Sequence, residues 1–248
     1  MNTLLAALMF FTRLPFWRIK KVPSECFKSV VNDWAYVGWL TGGVMALVLW
    51  LASFVLPFPV AVLLALCSRL LVTGALHEDG LADFLDGFGG GTDRTRILAI
   101  MKDSHIGSYG VIGLILYFLL FFTMLCQLPL HLACMALIAG DSWSKFLASN
   151  IVNVLPYARK EEDSKAKTVY RRMSVGNFLF AALGGALWVV CLLPEWYWLA
   201  CLLPLVVFGG LMLFMQKKIQ GYTGDCCGAT FLLCEFSFYL SINILYSL

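Results

Sequence analysis

Charged side chains are scarce in this sequence: Asp, Glu, Lys and Arg make up 13% of its 248 residues. Soluble domains carry roughly 25%. Apolar residues account for 60% of the chain, so a soluble globular fold is excluded and an integral membrane protein is indicated. A strongly basic balance is also missing, since the net charge is only +3 and scattered, which speaks against nucleic acid as a partner. The nine cysteines form no CxxC pair and no Cys/His metal spacing. They read as small apolar fillers, with Cys226 and Cys227 adjacent in a polar loop. The N-terminus, MNTLLAALMFF, has no positive n-region and no A-x-A site, so no cleaved signal peptide is expected. It is too short to span and predicts an interfacial or packed helix ending at Pro15. No internal repeat or low-complexity tract is visible.

What is present is a series of long apolar runs, at about 34–56, 58–76, 107–127, 130–153, 176–193, 196–215 and 229–248. Each approaches the roughly 20 residues of a membrane-spanning helix. The expected fold is all-α: a polytopic bundle of about seven transmembrane helices, with an acidic insert before the third. The whole length, 1–248, reads as one membrane-embedded catalytic domain. On this count Arg13, Arg18, Lys20, Lys21, Lys28, Arg94, Arg96, Lys102, Arg159, Lys160, Lys165, Lys167, Arg171, Arg172, Lys217 and Lys218 all fall on one side. The opposite connections carry no Lys or Arg, and the positive-inside rule makes the charged side cytoplasmic. The polar segments are about 77–106, 155–175 and 216–228, on the cytoplasmic side.

Against this background GALHEDGLADFLDGFGGG, residues 74–91, stands out. If 79–86 is helical, Asp83 lies about 40° from Asp79, and Asp86 about 20° away on the other side. The three carboxylates then share a face and repel one another unless a cation neutralises them. Carboxylates are hard oxygen ligands, pointing to Mg²⁺, with Mn²⁺ as the alternative, and away from zinc. His77 falls opposite and is a ligand only if the helix starts after it. Gly87 and the 89–91 glycines allow close approach of a phosphate, and Arg94 and Arg96 follow. Carboxylates, glycines and cations together are what phosphoryl transfer uses. Lys102 and Asp103, with Ser104 beside them, are candidates to close the site.

The D-x-x-D-G spacing at residues 83–87 resembles that of CDP-alcohol phosphotransferases, but the rest of their pattern is missing, so the likeness is one of mechanism. A longer match is more specific. The run HEDGLADFLDGFGGGTDRTRILAIMKDSHIGSYG, residues 77–110, resembles the cobalamin synthase family, the adenosylcobinamide-GDP ribazoletransferases. FFTRLPF (10–16), YAR (157–159) and GYTGDCCGA (221–229) with Glu235 resemble further family blocks in the same order. The chain departs from the family after 159, where KEEDSKAK lacks the usual glycine step.

The resemblance implies the last assembly step of the B12 coenzyme, in which adenosylcobinamide-GDP and α-ribazole, or its 5′-phosphate, are joined and GMP leaves. It implies that Asp79, Asp83 and Asp86 bind Mg²⁺ and the diphosphate, that one of them or His77 takes the hydroxyl proton, and that Arg94, Arg96 and Lys102 stabilise phosphate charge. Asp225 is the best further carboxylate, with Thr223 and Gly224 shaping its turn; Gly87, Asp103, Ser104 and Arg159 complete the expected substrate contacts. The family resemblance adds the expectation of a bacterial cytoplasmic (inner) membrane. A homo-oligomer is left open.

Arg69, Asp141, Lys145 and Glu235 fall in or near apolar runs, where charges face the bundle interior or a cavity. Asp141 and Lys145, four apart, are expected to pair, and Arg69 to line a polar cavity below the acidic cluster. A transporter is the main alternative, but it would place charge along both leaflets, whereas here the polar signal sits on one side.

Overall fold

Proline and glycine interrupt the apolar runs, and there the helices begin and end. The structure, a computed structural model, describes residues 2–159 and 169–248. Among these it contains α1 (Asn2–Phe11), α2 (Trp34–Ala52), α3 (Phe58–Thr73), α4 (Leu76–Gly90), α5 (Arg94–Lys102), α6 (Ser108–Cys126), α7 (Leu130–Ser149), α8 (Ile151–Val154), α9 (Val175–Leu192), α10 (Leu202–Ile219) and α11 (Gly224–Ser247). Pro57 and Pro129 stand at the N-caps of α3 and α7, and Pro194 precedes a 3₁₀ turn leading into α10. Much of the charged stretch 157–174, including Lys160 and the KEEDSKAK tract, lies outside the described residues.

Five helical stretches are long and apolar enough to cross a membrane: Ser24–Ala52, Ser108–Cys126, Val175–Leu192, Glu195–Ile219 and Gly224–Ser247. A sixth exists if the pair Phe58–Thr73 and Leu76–Gly90, bent by 91°, is one broken span. The protein is therefore a polytopic helical membrane protein. Leu71, Leu116, Leu183, Val206 and Leu213 point outward, as lipid-facing side chains do. The N-terminal helix is packed, with Ala6, Ala7 and Phe11 buried.

Close helix contact is built from small residues, the usual device where lipid removes the hydrophobic drive for association. Gly38 and Gly42 lie one turn apart on α2. A Cβ on Gly38 would sit 2.8 Å from the Cα of Ser142, and one on Gly42 would sit 2.7 Å from the carbonyl of Leu137, both on α7. This approach brings Thr41 to within 3.0 Å of Asp141.

The acidic run is not a polar insert. Gly74 ends α3 in the left-handed region (φ 66°) and Ala75 follows at φ 56°, turning the chain through the bend into α4. The Arg13 amide bonds the carbonyl of Val72, and its side chain fills the space beside Gly74, fastening the end of α1 to the elbow. Beyond it α4 packs along α11 and α6, with Gly80, Leu81, Ala82, Phe84 and Gly87 buried. Cys226 and Cys227 are not in a loop either: they are buried in the first turn of α11, because Thr223 starts the helix there by accepting from the amide of Cys226.

Candidate active site

The site is set by a reciprocal notch between α4 and α11. A Cβ on Gly80 would meet the backbone of Asp225 at 3.1 Å, and one on Gly228 would meet the backbone of His77 at 3.1 Å. Glycine at both positions lets the two backbones touch, which puts His77 and Asp79 beside the first turn of α11 and Asp225. A second contact brings up the loop 156–159. The amide of Ala158 donates to Tyr222 O (2.8 Å) and that of Tyr222 to Pro156 O (2.9 Å). Gly221 is required because a side chain there would collide with the carbonyl of Pro156.

These contacts close a cavity of about 130 Å³. One set of walls is aromatic: Phe10, Phe11, Trp34, Tyr157 and Tyr170, with Val31 and Leu76. His77 belongs with them, its ring 5.4 Å from Trp34, 5.9 Å from Phe11 and 5.0 Å from Phe231. The other walls are polar: Asp79, Gly80, Arg159, Gly224 and Asp225. Asp79 is exposed, and Asp225 accepts from the hydroxyl of Thr223. Arg159 is half-buried and gives one nitrogen to Leu98 O at 2.8 Å.

Of the residues singled out in the sequence, the cavity thus gathers His77, Asp79, Arg159, Gly224 and Asp225. Among the described residues its walls include none of the others, and the structure accounts for each. Asp83 is half-buried one turn beyond Asp79. Asp86 is buried and accepts from the amides of Gly107 (2.7 Å) and Gly110 (2.8 Å), so its carboxylate caps the start of α6. Gly87 makes room for Met101, and Gly89 and Gly91 for Tyr109 and Ile97, so these glycines serve helix packing and not a phosphate cradle. Arg94 donates to Ile219 O (2.9 Å) and Ala158 O (2.7 Å), tying the end of α10 to the loop 156–159. Arg96, Lys102 and Ser104 are exposed. Asp103 accepts from the amide and ring of His105, which hold its carboxyl below the usual range. Thr223 is the buried cap of α11.

Arg69 does not line this cavity. It is 1% exposed and forms the centre of a buried ion cluster, giving Nη1 to both oxygens of Glu235 (2.7 and 2.6 Å) and Nη2 to the hydroxyl of Tyr117 (2.9 Å). Glu78 faces the same guanidinium at 3.3 Å, but neither of its oxygens has a hydrogen-bond donor, so this is a charge contact only. Lys145 and Asp141 pair on α7 as their spacing predicts, and Lys145 also reaches Thr41 at 2.8 Å.

Whether a divalent cation fits can be judged from the donors. Among the described residues no group of three or more His, Cys, Asp and Glu is placed to hold a metal. Two carboxylates from distant parts of the chain do line one cavity. Mg²⁺ commonly uses one or two carboxylates, keeps several waters and takes its remaining oxygens from substrate phosphates. The donor set fits an ion that arrives with a diphosphate, and not a permanent cage.

Sequence reasoning missed the aromatic walls and the role of Glu78. Phe10 and Phe11 were within reach as part of FFTRLPF, but Trp34, Val31 and Tyr170 carry no local signal, since only tertiary packing brings them to α4. Glu78 carried no signal of its own, because Arg69, Lys145, Asp141 and Glu235 already balance one another and nothing in the acidic run marks Glu78 as the residue that turns toward Arg69.

The model of the family described as "Cobalamin-5-phosphate synthase" matches residues 3–243. An adenosylcobinamide-GDP ribazoletransferase of Shewanella frigidimarina is 38% identical, the match covering 98% of this chain and 94% of the relative. Proteins of the same name from Shewanella amazonensis and Shewanella oneidensis are 39% and 35% identical, over 98% and 96% of this chain and 95% and 92% of theirs. No solved structure matches the chain. With a family model covering nearly its whole length and relatives this similar over almost all of it, the chain belongs to the cobalamin-5-phosphate synthase family.

Proposed function

We infer that this protein is an adenosylcobinamide-GDP ribazoletransferase, joining adenosylcobinamide-GDP to α-ribazole or its 5′-phosphate with release of GMP. The observation that carries the site assignment is the convergence of Asp79, Asp225 and Arg159 on one cavity within a chain of this family. In the reaction a sugar hydroxyl of the ribazole forms a new P–O bond at the cobinamide-side phosphorus, the bond to GMP breaks, and the hydroxyl proton is taken up. Asp79, the exposed carboxylate of the cavity, receives that proton. Arg159 holds phosphate oxygen with its remaining donors. The His77 ring sits buried among Phe11, Trp34 and Phe231 and orients what lies on the aromatic side. A Mg²⁺ ion, or Mn²⁺, would be held by Asp79 and Asp225 and would supply charge neutralisation to the diphosphate.

The proposed topology has seven crossings: the five long helices, the bent pair as one, and α7. The 20-residue α7 carries Asp141 and Lys145, which neutralise one another inside the bundle. That count places the basic segments and the cavity mouth on the cytoplasmic side of the inner membrane.

The test is purified protein in detergent with adenosylcobinamide-GDP and α-ribazole 5′-phosphate, followed by GMP release. Release should require Mg²⁺ or Mn²⁺ and stop with EDTA; folded wild-type protein that releases no GMP would refute the assignment. Gly80→Ala is a second check. Its Cβ forces α4 and α11 apart by a few tenths of an ångström, and kcat/KM is expected to fall about 10-fold, since small displacements of reacting groups cost rate steeply. An unchanged kcat/KM would show that the notch does not set the geometry.

A further inference from the structure

The aromatic walls of the cavity have no part in the phosphoryl chemistry, yet they come from four separate parts of the chain. Phe10 and Phe11 end α1, Trp34 begins α2, His77 lies on α4, and Tyr157 and Tyr170 flank residues outside the described part. The rings brace one another. Phe11 stacks on Trp34 at 4.7 Å and 6°, Phe10 meets Tyr170 edge-on at 6.1 Å, and Tyr157 meets Tyr222 edge-on at 5.4 Å. Such walls are preorganised for a flat apolar ring.

We propose that the aromatic half of this cavity binds the base of the ribazole, and so selects which lower base is joined to the corrinoid. This rests on the ribazoletransferase reading and extends it. Walls of paired single rings suit a flat ring of one or two cycles. The other bicycles in the reaction are guanine and the adenine of the adenosyl ligand, purines whose edges carry several donors and acceptors that need buried polar partners. On the aromatic side Phe10, Phe11, Trp34, Val31 and Leu76 offer no hydrogen-bonding groups but for the indole, and the polar atoms are few (the His77 ring and the hydroxyls of Tyr157 and Tyr170), which suits the single ring-nitrogen acceptor of a benzimidazole better. With the base there, its ribose and phosphate lie toward Asp79, Asp225 and Arg159, where the attacking hydroxyl is needed.

The test uses full-length protein in detergent and separates the two substrates. Ribotides carrying benzimidazole and the smaller imidazole are compared in wild type, Tyr170→Leu and Tyr170→Phe, with KM measured for each ribotide and for adenosylcobinamide-GDP. Wild type should prefer the benzimidazole ribotide. Tyr170→Leu should raise its KM about 10-fold, the scale of one lost stacking contact, and shrink the preference. The KM for adenosylcobinamide-GDP should stay within twofold, and Tyr170→Phe, which keeps the ring, should resemble wild type. Phe10→Leu serves as an independent variant with the same expectation if Tyr170→Leu does not fold. A rise confined to adenosylcobinamide-GDP would assign the walls to a purine of that substrate and overturn the proposal, as would unchanged base preference in both leucine variants. Failure of the parent reading looks different: wild type would release no GMP with any ribotide.

Discussion

Asp79→Asn and Asp225→Asn proteins are each expected to release GMP about 10³-fold more slowly than wild type, while melting within a few degrees of it. The size follows from removing a group that acts on charge developing in a confined site. The specificity follows from position, since both carboxylates line the cavity; Asp225 also accepts from the hydroxyl of Thr223, the cap of α11, so its variant should lose the more stability of the two. The double variant should be little worse than either single one, because groups acting as a unit are not additive. Asp86→Asn is the informative contrast. Its carboxylate accepts from Gly107 and Gly110 at the start of α6, so its effect should appear mainly as a lower Tm. If Asp86→Asn abolished turnover without loss of stability, and Asp79→Asn were nearly normal, the catalytic centre would lie elsewhere on α4.

The second large effect concerns stability. Arg69→Met leaves Glu235 and Glu78 buried without their cation, and leaves the hydroxyl of Tyr117 only its bond to Glu235. Breaking a buried ion pair from one side costs about 3–5 kcal/mol. For a chain of this size that corresponds to a drop in Tm of roughly 6–20 °C. Arg69→Met combined with Glu235→Met should recover a substantial part of the loss, because two apolar residues replace a pair whose desolvation had to be overcome. The measurement is thermal unfolding in one detergent at one pH. An Arg69→Met protein with wild-type Tm would mean that the cluster contributes nothing net.

The helical character of the chain and most of its helix breaks were legible in the sequence, because apolar run length and proline position act locally. The Asp141–Lys145 pair was legible for the same reason: a spacing of four fixes two side chains on one helix face. What was hidden is how one helix face divides among neighbours. Asp79, Asp83 and Asp86 share a face by periodicity, yet Asp79 opens to the cavity and Asp86 is consumed by the backbone of α6. Arg94 is expected at a phosphate because arginine follows the glycines, and two of its five donors go to carbonyls more than 60 residues away in sequence. Local spacing carries no information about such partners. Arg159 and Asp225 reach the cavity together only through the short contact between 156–158 and 222, which no pattern predicts.

The notch of Gly80 and Gly228 has a consequence for biosynthesis. A chain made from its N-terminus places α1 through α4 in the membrane long before α11 exists, yet the wall opposite Asp79 is the first turn of α11. Until that helix is inserted, Asp79 has no partner carboxylate and Gly80 nothing to rest against. Activity therefore waits for the insertion of α11, however early the acidic helix is in place.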